Sequence, residues 1–241
     1  MLRVLQRSAA ELHANNRRLA ESNRDLTDFA YVASHDLQEP LRKITAFGER
    51  LRVRCGDRLG DDGRDYLARM TSASTRMGHL IDDLLTYSRI TTRGAAFVAT
   101  DVGSIARGVL SDLEVAIERA GATVELGPLA TIEADPTQLR QLLQNLVGNA
   151  LKFRRHDVTP FVSVSMERVE APEAAALDAG LPGAGGWWRL EVRDNGIGFD
   201  PRDSERIFSL FQRLHARSSD PGSGIGLTVC RRIVERHHGE I

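Results

Sequence analysis

The first third of the chain carries apolar side chains at a seven-residue spacing. Two interleaved rows begin at Leu2 and Leu5 and stay mostly apolar for about seven heptads. This a/d pattern predicts a left-handed coiled coil, the alternative being an amphipathic helix packed on its own domain. Leucines recur at the d positions and favour a parallel dimer, whose register Asn16 and Asn23 at a positions would fix.

A second helix follows a break in this pattern. Three glycines between Cys55 and Gly63 predict a helix–helix loop, and the next helix runs to about Ile90 with core-type residues at three- and four-residue spacing. Two such hairpins, one from each chain, would form an antiparallel four-helix bundle. We therefore expect a coiled-coil helix over 1–25 and a dimerising hairpin over 26–92.

Strands and helices alternate beyond a linker at 91–94. The predicted strands cover 97–101, 122–126, 130–134, 161–169 and 188–193, and the predicted helices cover 102–120, 135–155, 204–214 and 225–238. Asp135 followed by Pro136 is a strong helix start, an acidic N-cap with proline at the first helical position. The predicted class is α+β, with the N-terminal hairpin followed by an α/β two-layer sandwich over 96–241.

Composition narrows the function classes. Charged residues make up 27% of the 241 residues and the formal net charge is -1, which favours neither nucleic acid nor an anionic membrane as a partner. No apolar run approaches the roughly 20 residues that span a bilayer, so a cytoplasmic location is expected. Cys55 and Cys230 lie far apart without metal-ligand spacing and are expected to be reduced thiols.

Two polar features lie on predicted helices. His35 and Asp36 are neighbours in the first helix, where the heptad register gives His35 the solvent-facing f position. Asn145 and Asn149 are four residues apart and share one face of an otherwise apolar helix, with Lys152 one turn further on. Amide oxygens suit a Mg²⁺ ion that already carries phosphate ligands, and a lysine can reach phosphate oxygens.

Two glycine motifs follow. The first, Asp194-x-Gly196-x-Gly198, comes directly after a predicted strand. The second runs from Gly222 through Gly224 to Gly226 and opens a helix, whose free N–H groups can hold phosphate. It does not follow a strand with an acid about 20 residues later, so it is not a dinucleotide-binding fingerprint.

The ordered set of His-Asp, Asn, Asp-x-Gly-x-Gly and Gly-x-Gly-x-Gly blocks resembles the core of sensor histidine kinases, from about residue 26 to 241. The resemblance implies ATP-dependent autophosphorylation of His35, with ATP and Mg²⁺ as cofactors, followed by phosphotransfer to an aspartate of a response regulator by a homodimer. Asp36 would accept the proton of the other imidazole nitrogen and so raise the nucleophilicity of His35. The other implied roles are Asn149 as the direct Mg²⁺ ligand supported by Asn145, Lys152 at phosphate, Asp194 with Gly196 and Gly198 at adenine, Arg213 as the lid arginine, and Gly222, Gly224 and Gly226 at phosphate.

Three details refine the resemblance. The His-Asp-Leu-Gln-Glu-Pro and Phe-Gln-Arg-Leu-His runs are similar to kinases attached to phytochrome-type sensors. Glu39 stands where the family often has Thr or Asn, a position linked there to phosphatase action, so the likeness does not extend to that activity. Members of the family continue into two closing strands after the position of Ile241. The sheet of this chain is therefore expected to lack those strands and to leave backbone groups unpaired at its edge.

Two other functions fit parts of the pattern. An ATP-hydrolysing clamp of the same nucleotide-fold superfamily would need a glutamate one turn before the Mg²⁺ asparagine, and Asn145 stands there instead. It would also leave the histidine hairpin without a role. A dimeric scaffold with an impaired nucleotide site is the non-enzymatic alternative, although every block is present.

Overall fold

The computed structural model describes residue 34 and residues 36–92, 94–155, 157–169, 187–210, 212 and 224–241. The predicted coiled coil over 1–25, the segment 171–186, and the site residues His35, Arg213 and Gly222 lie outside the described residues. The chain divides into two compact units. One takes residues 1–94 and 210–232, and the other takes residues 95–209 and 233–241.

A helical hairpin dominates the first unit. Helix α1 covers 36–55, a 3₁₀ turn follows at Gly56–Arg58, and helix α2 covers Asp61–Thr92. The helices approach closely at Gly48, where an added Cβ would overlap the Thr71 side chain. Gly48 and Leu41 are buried seven residues apart, at e positions of the predicted heptad. The helix–loop–helix expectation is therefore confirmed, with α2 ending two residues later than expected.

The predicted a and d positions of α1 face away from this intrachain contact. The exposed apolar side chains of the hairpin include Leu37, Ile44, Phe47 and Leu51 on α1 and Met70, Met77 and Leu84 on α2, each between 37% and 59% exposed. These side chains form an apolar stripe on the hairpin that a single chain leaves open to water.

Within the described residues, no helix combines the length and apolar character that a bilayer span requires.

The described residues of the second unit form two small sheets. The strands are β1 (Val98–Asp101), β2 (Thr123–Leu126), β3 (Thr131–Ala134), β4 (Phe161–Val169) and β5 (Trp187–Asp194). Strands β1 and β3 pair antiparallel, while β4 pairs parallel with β2 and antiparallel with β5. The five expected strands are thus confirmed, with ends shifted by at most one residue.

Four further helices lie in the described residues beyond the hairpin. They are α3 (Val102–Asp112), α4 (Glu114–Ala120), α5 (Pro136–Lys152) and α6 (Gly226–Arg236). The single helix expected over 102–120 is interrupted at Leu113, which has φ -96 and ψ 4. The helix expected over 204–214 is wrong for its described part, because residues 201–208 form short 3₁₀ turns instead. The α+β class and the order of helical hairpin and α/β domain are as expected.

The core of the second unit explains which face of α5 stays polar. Strand β4 alternates, burying Val162, Val164 and Met166 on one face. Helix α5 buries apolar side chains at helical spacing, among them Leu143 and Val147. The asparagines of α5 fall between these positions and remain only partly covered.

A buried carboxylate anchors the start of α5. Asp135 is 1% exposed, and its Oδ1 accepts hydrogen bonds from the backbone N–H groups of Thr137 and Gln138, as the N-cap expectation requires. Its Oδ2 accepts from Ala95 N at 2.7 Å and from Arg236 Nη1 at 3.1 Å. One side chain therefore joins the start of the second unit, the N-terminus of α5 and the C-terminus of α6.

His237 completes this cluster as a neutral imidazole. Its Nε2 accepts a hydrogen bond from the Asp135 backbone N–H at 3.1 Å, and its Nδ1 lies 2.7 Å from the Ile233 carbonyl oxygen, to which it must donate. The ring stacks on Phe97 with centroids 4.5 Å apart. Burial lowers the pKa of His237 below its ordinary 6.5, and neighbouring Arg236 acts in the same direction.

The His237 contacts predict a pH-dependent stability. Because the folded pKa is lowered, the unfolded chain binds this proton first as the pH falls below about 6.5. Stability should then decrease toward the lowered folded pKa, with a slope of at most about 1.4 kcal/mol per pH unit, and His237 should add no pH dependence above that window. Urea unfolding at about four pH values between 8 and 5 measures this pH dependence of the unfolding free energy.

The variant His237→Gln should lower stability at neutral pH and flatten the acidic slope. His79→Gln, at an exposed position on α2, is the matched control and should leave the slope as in the wild type. Parallel pH profiles for the His237 variant and the wild type would contradict the assignment of a neutral, half-buried acceptor.

Candidate functional site

Helix α5 presents three of the expected site residues. Asn145, Asn149 and Lys152 are each partly buried. Asn145 Oδ1 accepts a hydrogen bond from Gln141 Nε2 at 3.3 Å. The Asn149 side-chain amide makes no hydrogen bond to any described residue, although its backbone carbonyl accepts from Phe153 N at 2.9 Å. Near the C-terminus of the helix, the Asn149 side-chain amide is thus left without a hydrogen bond to the described part of the chain.

The turn after β5 presents the acidic residue of the first glycine motif. Asp194 is exposed at the end of the strand, and its Oδ1 accepts a hydrogen bond from Gly196 N at 2.7 Å. This bond closes an Asx-type turn that orients the carboxylate. Oδ2 accepts no hydrogen bond from the described residues, so it is available to a donor from outside the chain.

Backbone contacts bring this turn to the end of α5. Ile197 N donates to the Phe153 carbonyl oxygen at 2.9 Å. A Cβ on Gly196 would lie 2.5 Å from that same oxygen, so only glycine fits. Gly198 has φ +62, which L side chains rarely adopt. The structure therefore unites two blocks that are more than forty residues apart in sequence, as the numbering shows.

Asn195 is a residue that sequence reasoning missed. It occupies the first unspecified position of the Asp-x-Gly-x-Gly motif, yet its side chain makes two long-range hydrogen bonds. Oδ1 accepts from Phe161 N at 2.8 Å, and Nδ2 donates to the Thr159 carbonyl oxygen at 2.9 Å. The sequence signal was an Asp-Asn-Gly run, which predicts a turn but not its partners.

The start of α6 carries the described part of the second glycine motif and falls in the first unit. Gly224 has φ +75 and Gly226 is the first helical residue. The first N–H groups of a helix lack intrahelical partners. Thr228, which sequence reasoning also missed, is 7% exposed, and its Oγ1 is buried without a hydrogen-bond partner among the described residues. Cys230 is buried and forms no disulfide with a described residue.

The described surroundings of the expected phosphoacceptor lie on the hairpin. Asp36 is exposed in the first described turn of α1. Gln38 Nε2 donates to Asp82 Oδ1 on α2 at 2.6 Å, a cross-helix bond that sequence reasoning did not predict. Glu39 forms an ion pair with Lys43 at 2.6 Å on the helix surface.

Comparison with family models decides the relationship. Residues 25–93 match the "His Kinase A (phospho-acceptor) domain", and residues 134–241 match the "Histidine kinase-, DNA gyrase B-, and HSP90-like ATPase". The chain belongs to the sensor histidine kinases. The first match contains His35 and Asp36, and the second contains every other expected site residue.

Curated relatives extend this family assignment. The kinase core is 39% identical over its full length to the phytochrome-like protein Cph1 of Synechocystis and, equally, to cyanobacterial phytochrome A of Nostoc. It spans only 30% and 29% of the lengths of those proteins. The expected likeness to kinases of phytochrome-type sensors is therefore confirmed.

A solved structure supports the fold. The crystal structure of full-length ShkA in complex with AMPPNP aligns with a TM-score of 0.59 over 86% of this kinase core and 40% of ShkA, at 23% identity. At that identity the likeness bears on the fold, which is a helical part followed by an α/β ATPase-type domain.

The close approach at Gly196 yields a prediction. Gly196→Ala would place a methyl group 2.5 Å from Phe153 O and 2.6 Å from Asp194 Oδ1, so the turn must move. We expect a loss of about 1–3 kcal/mol in unfolding free energy. ATP affinity should also weaken, because Asp194 and the end of α5 would separate. Urea unfolding and ATP titration measure the two effects.

Gly56→Ala is the control, because nothing lies within 4 Å of an added Cβ there. It should change neither quantity appreciably. Wild-type stability together with wild-type ATP affinity in Gly196→Ala would show that the turn does not depend on this approach.

Proposed function

We propose that this chain transfers the γ-phosphoryl group of ATP to His35 and then passes it to an aspartate on a response-regulator receiver domain. The observation that most supports this proposal is the junction between α5 and the turn at Asp194. The Ile197–Phe153 hydrogen bond and the close fit of Gly196 hold the family's metal-binding helix against its adenine-selecting acid.

The residues present fit a magnesium nucleotide. The unengaged Asn149 amide offers a neutral oxygen of the kind Mg²⁺ accepts, while Asp194 Oδ2 offers an acceptor for an amino group. In the proposal Asn149 holds Mg²⁺ with support from Asn145. The residues that would contact phosphate, as the family resemblance implies, are Lys152, Arg213 and the glycines Gly222, Gly224 and Gly226.

The phosphoryl acceptor is the imidazole of His35. ATP supplies the electrophilic phosphorus. The outer ring nitrogen of neutral His35 forms the N–P bond as the bond to the ADP oxygen breaks. Asp36, the next residue, accepts the proton of the other ring nitrogen and so increases the electron density on the attacking nitrogen. His35 then holds the phosphoryl group until a receiver aspartate takes it.

The exposed apolar stripe supports a homodimer. Leu37, Ile44 and Leu51 lie on α1 at the predicted a positions and would be covered by a second hairpin in a four-helix bundle. The proposed organisation is a coiled-coil signalling helix at 1–25, a dimerisation and phosphotransfer hairpin at 26–92 and an ATP-binding domain at 96–241. ATP and receiver domains are cytoplasmic, so the proposed location is the cytoplasm.

An ATP-hydrolysing clamp is a weaker explanation. Such an enzyme needs a general base to activate water one helical turn before the metal-binding asparagine. Asn145 occupies that position, and an amide cannot take up a proton from water at neutral pH. Its oxygen already accepts a hydrogen bond from Gln141. Phosphoryl transfer to His35 requires no such base.

Labelling with γ-labelled ATP tests the function. The purified chain with Mg²⁺ should acquire label that is stable in base and lost in acid, as expected for an N–P bond. His35→Gln should reduce the label to background, because no acceptor nitrogen remains. His79→Gln, an exposed histidine on α2, is the matched control and should label normally. Acid-stable label, or label retained in His35→Gln, would exclude this function.

The role of Asn149 gives a separate prediction. Asn149→Ala should slow labelling of His35 by about a hundredfold and raise the Mg²⁺ concentration needed for half the maximal rate, because a direct metal ligand is lost. Gln144→Ala on the same helix is the control and should retain the wild-type Mg²⁺ dependence. An unchanged Mg²⁺ dependence in Asn149→Ala would remove this residue from the metal site.

A further inference from the structure

The side chain of Asn195 replaces a backbone group in the sheet. The regular pairing of β4 with β5 ends at Val162 and Asp194. At the next pair, Asn195 N donates to Phe161 O at 3.3 Å, as an antiparallel partner would. The return bond, however, runs from Phe161 N to Asn195 Oδ1 at 2.8 Å, not to the Asn195 carbonyl.

Because a side-chain oxygen takes the place of a backbone carbonyl here, the chain can leave the sheet abruptly. Because the side-chain oxygen satisfies Phe161 N, the backbone carbonyl of Asn195 need not face β4. The Nδ2 group also donates to Thr159 O at 2.9 Å and so binds the residue before Pro160, which has no N–H to pair. One amide therefore bonds the residues on either side of Pro160, where β4 begins.

Asp194 is consequently held from both directions. On one side Asn195 ties the chain to the start of β4, and on the other Ile197 N binds Phe153 O at the end of α5. The Asp194 carboxylate is anchored between them through its Oδ1 bond to Gly196 N. The direction of the remaining oxygen, Oδ2, depends on both attachments.

We propose that Asn195 is a positioning residue for nucleobase selection. The inference rests on the proposed function, in which Asp194 accepts the adenine amino group. Adenine presents an N6 amino donor where guanine presents an O6 acceptor, so a fixed carboxylate favours ATP and repels GTP. A site built around one hydrogen bond discriminates strongly only while its acceptor stays in place. Asn195 acts through Asp194 and touches no base.

The test measures affinity for two nucleotides of equal triphosphate charge. ATP and GTP should each displace a fluorescent nucleotide from the full 241-residue chain. In Asn195→Ala we expect ATP affinity to fall by about tenfold while GTP affinity changes little, so the ATP-over-GTP ratio falls by the same factor. Asn195→Asp keeps the acceptor for Phe161 N but loses the donor to Thr159 O. Its ATP-over-GTP affinity ratio should lie between those of the wild type and Asn195→Ala. This variant replaces Asn195→Ala in the test if the alanine variant does not fold.

Two controls separate positioning from stability. Val164→Ala truncates a fully buried side chain of β4 away from the turn and should lower stability without changing the nucleotide ratio. Asp194→Asn should abolish the preference for ATP over GTP, since it removes the selecting carboxylate. Amide hydrogen exchange gives a readout independent of nucleotide, because Phe161 N–H should exchange faster in Asn195→Ala than in Val164→Ala.

The outcomes distinguish this inference from the proposed function. An unchanged ratio in Asn195→Ala, or an equal loss of ATP and GTP affinity, overturns the positioning role. An unchanged ratio in Asp194→Asn overturns the assignment of Asp194 and the inference with it. Failure of the wild type to label His35, with its ATP selectivity intact, overturns the proposed kinase function and leaves the role of Asn195 standing.

Discussion

The buried carboxylate of Asp135 is the constraint on which the second unit depends. A carboxylate that is 1% exposed must be fully compensated, and here backbone donors, Ala95 and Arg236 share that task. Arg236 also donates to Gln138 Oε1 and to Ala95 O, and its guanidinium lies over the Phe97 ring. Removing one partner of such a pair typically costs about 3–5 kcal/mol, because the other charge remains buried. The position of the start of α5 therefore depends on its N-cap residue.

The polar face of α5 follows from the same anchoring. Once the N-terminus is fixed, the 3.6-residue period directs Leu143 and Val147 into the core and leaves Asn145 and Asn149 at its margin. The helix is capped at its C-terminus by Phe153, whose carbonyl oxygen accepts a hydrogen bond from the turn after β5. The helix is thus anchored by charge at one end. Near its other end lie Asn149, whose side-chain amide makes no hydrogen bond to a described residue, and the contact between Phe153 and the acidic turn.

Local signals predicted much of this arrangement. Both ends of the strand over 161–169 were predicted correctly, because its side chains alternate between the two faces. The start of α5 was predicted because an acidic N-cap followed by proline is a signal that acts within one helical turn. The break at Leu113 was missed because no glycine or proline marks it. The bonds of Asn195 were missed because their partners are 34 and 36 residues away, where no local rule operates. His35 and Arg213 were identified by resemblance, and their roles stay predictions.

The heptad in the hairpin illustrates how one pattern can serve two contacts. Its e positions, Leu41 and Gly48, are buried against α2, whereas its a and d positions stay exposed in the single chain. A helix packed only within its own hairpin would need one apolar stripe, and the second stripe is costly in water. The sequence retains both stripes, which is the requirement of a four-helix bundle, where each helix touches two neighbours. In the proposed function His35 must meet another domain, and its predicted f position lies outside both stripes.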